Sequence, residues 1–130
     1  MPIKKIVMVK RKKGLTPKEF RDGYENSHSR IAVRLFGHLW TEYRRNYLTT
    51  GYNFDQDSGG PEEIGFDAVS EFILPDEAAY EEMARISAEN FEMIKEDEAK
   101  WFDQAHCWLV DCETIEEDLG ARERQRETVG

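Results

Sequence analysis

Apolar and polar residues alternate with a period of two from Ile3 to Lys10, setting Ile6 and Met8 on one face of a strand and Lys5, Val7 and Val9 on the other. The basic run Lys10 to Lys13 and Gly14 end it. A helix start follows at Thr16-Pro17-Lys18-Glu19. Threonine caps free amides, proline is tolerated at the first helical position, and Glu19 reaches back as in a capping box. Phe20 and Tyr24, four apart, supply the buried stripe. The helical signal weakens over Asn26-Ser27-His28-Ser29, which puts His28 at a helix break. It resumes with Ile31, Val33, Leu35 and Phe36 and stops at Gly37.

A second strand is expected over Trp40 to Thr50, with Tyr43, Arg45 and Tyr47 sharing one face and neither face plainly apolar. Asp55 to Pro61 reads as a long loop. The third strand, from about Phe66 to Leu74, turns Ala68, Ser70 and Phe72 one way and Asp67, Val69, Glu71 and Ile73 the other. Pro75-Asp76 opens a helix whose inner stripe is Ala79, Tyr80, Met83, Ala84 and Ile86 or Ser87. A further helical piece from Glu89 to Phe102 carries Phe91, Ile94, Trp101 and Phe102, and Ala105 to Asp111 is the last strand.

The order β-α-β-β-α-β predicts an α+β fold, the ferredoxin-like antiparallel sheet with both helices on one face. The other face, bearing Val, Trp and Tyr residues, needs cover. A second copy packed sheet to sheet is the economical solution, so a homodimer with a cavity against each sheet is expected. A chain of 130 residues has room for one core. The domain is expected over residues 1–114. The Glu/Arg-rich stretch at 115–130, with few apolar residues, reads as a flexible C-terminal tail.

Charge narrows the function. The 27 acidic and 18 basic residues give a formal charge of -9, which repels a phosphate backbone, so no nucleic-acid partner is expected. No stretch approaches a membrane span, and the N-terminus lacks the apolar segment of a secretion signal. The reading is a cytoplasmic protein without a membrane partner. Cys107 and Cys112 fall on the last strand and point to opposite faces, which predicts reduced thiols. His28, His38 and His106 have none of the short ligand spacings of zinc sites, so no metal is expected.

Several motifs resemble those of EthD-domain proteins: Lys5-Ile6-Val7-Met8-Val9-Lys10-Arg11-Lys12, Leu15-Thr16-Pro17-Lys18-Glu19-Phe20 and Tyr24-Glu25-Asn26-Ser27-His28 in the first third of the chain. Tyr43-Arg44-Arg45-Asn46-Tyr47, Phe66-Asp67-Ala68-Val69-Ser70-Glu71 and Asp97-Glu98-Ala99-Lys100-Trp101-Phe102-Asp103 follow in order. The resemblance spans most of residues 3–113 and implies a dimeric α/β barrel. Similar proteins include fungal polyketide-pathway decarboxylases and a lactone isomerase, and the founding member accompanies an oxygenase system. The glycine-rich loop from Asp55 to Glu63 is longer than the family pattern.

His28 is the first candidate for chemistry, because a histidine near neutrality can take and return a proton, and the resemblance supports the same residue. The plainer account is a histidine bonded to backbone at a helix end. Arg45 and Tyr47 are the next catalytic candidates, as donors to an enolate or carboxylate, with Tyr43 beside them for binding. Interface packing explains the same three residues. Asp67 and Glu71 share a strand face where burial can raise a carboxyl pKa, although a salt bridge to Arg45 serves as well. His106 and Trp108, on one face of the last strand, complete the expected binding set.

No nucleotide loop, nucleophile elbow or haem motif is present, which favours chemistry without a cofactor. The expected function is a lyase or isomerase acting by His28-mediated proton transfer on an aromatic, polyketide-like or lactone compound bearing an acidic group. Decarboxylation, cyclisation and isomerisation all fit. The alternatives are a cofactor-free oxygenase and a non-catalytic binding protein.

Overall fold

A computed structural model describes residues 1–121. Of the expected tail, residues 115–120 are exposed and 122–130 lie outside the described residues. Strands β1 (Ile3–Val9), β2 (Glu42–Tyr47), β5 (Ala68–Leu74) and β6 (Trp108–Asp111) form one antiparallel sheet in the order β2-β5-β1-β6. Between β2 and β5 stand a two-strand hairpin, β3 (Gly51–Tyr52) and β4 (Ser58–Gly59), and a short helix α3 (Pro61–Ile64). Helices α1 (Pro17–Gly23), α2 (Ser29–Phe36), α4 (Glu77–Glu89) and α5 (Phe91–Trp101) supply the helical layer. This is the ferredoxin-like order expected from the strand and helix sequence.

The period-two pattern of β5 holds throughout: Ala68, Ser70, Phe72 and Leu74 are buried, and Val69, Glu71 and Ile73 between them are half-buried on the other face. Register then assigns the faces. Tyr43 pairs with Phe72, Arg45 with Ser70 and Tyr47 with Ala68, so all three stand on the helix side. Val9 and Ala68 meet Phe20, Tyr24 and Phe102 in one core cluster, and Phe72, Leu74 and Ala79 form a second with Trp40, Tyr43 and Met83 around it. Burying side chains of this size stabilises the fold by about 1.5–3 kcal/mol each.

Several expectations are corrected. The second strand starts at Glu42 rather than Trp40, because Trp40 folds into the core and stacks on Phe72 with ring centroids 4.6 Å apart. The loop after it contains the hairpin and α3. The last strand starts at Trp108, since Gln104–His106 is a 3-10 turn, and the two free cysteines flank that strand instead of lying on it. Tyr80 and Ala84, expected on the inner stripe, are exposed, as is Phe91. Tyr80 takes the Lys5 ammonium over its ring at 4.3 Å.

The largest correction is at the expected helix break. The capping box at Thr16 and Glu19 forms as read, but Tyr24–His28 does not interrupt the helix. It is a π turn joining α1 to α2, with the Ser29 amide donating to the Tyr24 carbonyl five residues back. The fully buried Ser29 hydroxyl donates to the Glu25 carbonyl at 2.8 Å, giving that acceptor a partner within the widened turn. Polar residues that weaken a regular helix are the ones that satisfy this one.

Close approach sets the residue before the turn. A Cβ on Gly23 would stand 2.1 Å from Cε3 of the Trp101 ring, so the indole of α5 rests directly on the glycine backbone. Gly23→Ala is expected to destabilise the protein by about 1–3 kcal/mol, despite the better helix propensity of alanine. Chemical denaturation checks this. Unchanged stability would mean that Trp101 has room to move.

Candidate functional site

A cavity of about 320 Å³ lies between the helices and the covered face of the sheet. Its walls are mainly aromatic and aliphatic, with Phe36, Trp40, Tyr43, Phe72 and Phe102 among them; the polar groups include Tyr24, His28, Lys95, Glu98 and Gln104. The cavity expected against the sheet lies on its helix side.

The π turn and α5 build the polar end together. Tyr24 and His28 come from the turn, and their rings approach to 6.2 Å. Asp97, 5% exposed, points from α5 at the same turn: its Oδ2 lies 3.0 Å from His28 Nδ1, and its Oδ1 accepts from the Ser27 hydroxyl at 2.7 Å. An ionised carboxylate only accepts, so in the neutral imidazole Nδ1 carries the proton and Nε2 the lone pair. Nε2 stands on the side of Glu98, 3.9 Å from its Oε2, and both residues line the cavity. This arrangement orients a ring and leaves one nitrogen able to receive a proton from a bound molecule.

The other sequence candidates divide. Tyr43 lines the cavity, and burial, the largest cause, raises its phenol pKa while Arg45 partly offsets it. Burial likewise pushes the Tyr24 phenol well up, and Tyr24 Oη lies 2.7 Å from the fully buried Ser70 Oγ. Both phenols stay protonated near neutrality. Trp108 borders the cavity from β6, but its register opposite Met8 sets its side chain on the open face, where it is 62% exposed. His106 is on the 3-10 turn, exposed, with Nδ1 2.8 Å from Asp103, so it shares no strand face with Trp108.

Arg45 and Tyr47 do not line the cavity. The Arg45 guanidinium donates to both Glu25 oxygens, at 2.6 and 2.8 Å, and the Tyr47 hydroxyl donates to Glu25 as well. Glu71 lies on the open face between Lys4 at 3.7 Å and Arg44 at 3.2 Å, so its expected partner Arg45 is replaced by Arg44. Asp67 accepts from the Arg11 amide at 2.7 Å and lies 3.5 Å from Arg11 Nε, which ties the end of the basic run to the sheet. Neither carboxylate borders the cavity.

Sequence reasoning missed Asp97 and Glu98 as site residues. A signal was present: Ile94, Asp97 and Trp101 fall at i, i+3 and i+7, which sets a carboxylate on the inner stripe of a helix. A buried acid at such a position needs a partner, and His28 is that partner. Cys107 also lines the cavity, but burial raises its thiol pKa and so suppresses the thiolate. Among the described residues no group of three or more His, Cys, Asp or Glu side chains is placed to hold a metal ion, and no helix is long and apolar enough to cross a membrane.

A four-stranded antiparallel sheet in this order, with helices on one face and a cavity beneath them holding a carboxylate-oriented histidine, defines a ferredoxin-like α+β protein. The EthD domain family matches residues 12–105, and the chain belongs to that family. An EthD family protein from Bacillus halodurans is 15% identical, with 88% of this chain and 100% of that one covered at a TM-score of 0.62. An EthD-like protein from Ralstonia eutropha is 18% identical, with 90% and 95% covered at 0.62. An Arabidopsis thaliana protein is 13% identical, with 90% and 99% covered at 0.57. At these identities the likeness is one of fold. No curated protein sequence matches the chain.

The Glu25 cluster gives the stability of the fold a pH dependence. Hydrogen bonds from Arg45, opposed by burial and helped by Tyr47, lower the Glu25 pKa from 4.5 to about 2. A depressed carboxyl pKa stabilises the fold above the unfolded value, and that contribution is lost as pH falls from about 4.5 towards 2. Glu25→Gln is therefore expected to flatten the fall of stability across that window. Denaturant midpoints measured from pH 5 to pH 2 check it; parallel curves for the two proteins would show that Glu25 is not a source of the acid sensitivity.

Proposed function

We propose that the protein is a cofactor-independent enzyme that moves protons on an aromatic, polyketide-like or lactone compound, with His28 as general acid/base and Asp97 as its positioning residue. The observation that carries the reading is the His28–Asp97 bond at the wall of an aromatic cavity. In this scheme Nε2 takes a proton from carbon next to a carbonyl, and the electron pair moves onto the carbonyl oxygen. The imidazolium returns the proton to another atom of the same molecule, so no external oxidant or reductant is consumed. Asp97 offsets the positive charge on the ring while it exists.

Tyr43 is the donor that this reading assigns to the developing enolate oxygen, since its phenol stays protonated. Arg45 and Tyr47 then act one step away. They hold Glu25, and Glu25 belongs to the turn that carries Tyr24 and His28. Two further readings, oxygen-dependent chemistry and ligand binding without turnover, are outcomes of the same test.

A homodimer through the open sheet face is also proposed. Ile6, Met8, Val69, Ile73 and Val110 lie on that face around the charged row Lys4, Glu71, Arg44 and Glu42, and Trp108 stands exposed at its edge. A sheet face of this composition without helices over it is the surface that a second copy would cover.

Incubating the protein with a panel of aromatic acids, phenols and lactones, in air and under nitrogen, tests the chemistry by mass spectrometry. Conversion under nitrogen is expected, and His28→Gln should lower it about 10²-fold or more, with Asp97→Asn intermediate. Full turnover by His28→Gln would sink the assignment. Conversion only in air would favour an oxygenase, and saturable binding without products an accessory protein. For the assembly, light scattering should give twice the chain mass, and Ile6→Asp should return a folded monomer. A native monomer would overturn the dimer.

A further inference from the structure

Resting on that reading, we infer that the cavity takes neutral aromatic ligands, phenols and uncharged carbonyl compounds, and discriminates against carboxylates. Charge in the wall makes the distinction. Among the described residues Lys95 is the one lysine or arginine in the wall; it is about half exposed, and its Nζ lies 3.9 Å from Glu98 Oε1. Drawing Lys95 onto a ligand carboxylate would leave Glu98 in the wall without its cation. His28, the other group able to carry positive charge there, is already held by Asp97 on one nitrogen and faces Glu98 with the other.

Arg45, which the sequence offers as a carboxylate clamp, is spent on Glu25 and does not border the cavity. An anionic ligand would thus give up its hydration beside Glu98, with Asp97 buried behind His28, and gain no unpaired cation in return. A neutral ligand meets no such penalty. The aromatic and aliphatic wall, with Phe36, Phe102 and Met83 in it, suits a flat apolar ring, Tyr43 can donate to a carbonyl, and Glu98 or His28 Nε2 can accept from a phenol.

This narrows the chemistry. Decarboxylation needs a bound carboxylate, whereas cyclisation or isomerisation of a neutral carbonyl compound needs only the proton relay.

Titration calorimetry at pH 7 with 2-naphthol and 2-naphthoate, which share one ring system and differ in charge, tests the inference without turnover. Naphthol is expected to bind about tenfold or more tightly than naphthoate. Glu98→Gln, which releases Lys95 and removes a negative charge from the wall, should strengthen naphthoate binding and bring the ratio within roughly threefold. Equal or tighter binding of naphthoate by the native protein would overturn the inference and leave the proton-transfer reading standing, as would an unchanged ratio in folded Glu98→Gln. Binding of neither probe would overturn the aromatic cavity, and this inference with it. The comparison on the native protein holds whether or not the variant folds.

Discussion

The hydrogen bond from the Ser29 amide to the Tyr24 carbonyl puts one residue more into the turn than an α-helix holds, and the polar end of the cavity depends on it. That extra residue lets a single turn face three neighbours. Tyr24 and His28 point to the cavity, Ser27 and His28 meet Asp97 of α5, and Glu25 reaches Arg45 and Tyr47 on the sheet. A regular helix from Pro17 to Phe36 would rotate α2 against α1 and break at least one of these sets. The widened turn is therefore maintained by tertiary bonds rather than by helix propensity, which over Asn26-Ser27-His28-Ser29 is poor.

Those bonds are mostly carboxylate bonds. Glu25 and Asp97 of that set, and Asp67 elsewhere beside Arg11, each sit where water is largely or partly excluded, and each is matched to a cation, an amide or a hydroxyl. Leaving a buried charge without such a partner costs more than most single contacts contribute. The formal charge of -9 is consequently an incomplete guide: some of the acids are internal fasteners, and only the remainder make the surface repel anions.

Much of the fold was legible because period and punctuation agree along most of the chain. The alternation in β5, the capping box at Thr16 and the element order are local properties, and they appear as expected. What was not legible depends on contacts between distant residues. A helix break and a π turn share the same polar composition, and only Ser29 bonding to Glu25 and Asp97 bonding to His28 tell them apart. Arg45 and Tyr47 were correctly placed on one strand face, yet whether that face meets a cavity or a glutamate 20 residues away lies beyond strand periodicity. Glu71 had the right kind of partner on the wrong arginine, since adjacent residues of a strand point to opposite faces.

The same internal pairing constrains what the cavity can accept. A wall whose one lysine and one imidazole are already matched to glutamate and aspartate can be rigid before a ligand arrives. Rigidity of that kind favours ligands recognised by shape and by one or two neutral hydrogen bonds. It disfavours ligands that must break an ion pair to enter. His28 fits this logic: with Nδ1 committed to Asp97, its ring does not need the ligand to hold it, and Nε2 is free to exchange a proton with whatever the aromatic walls align.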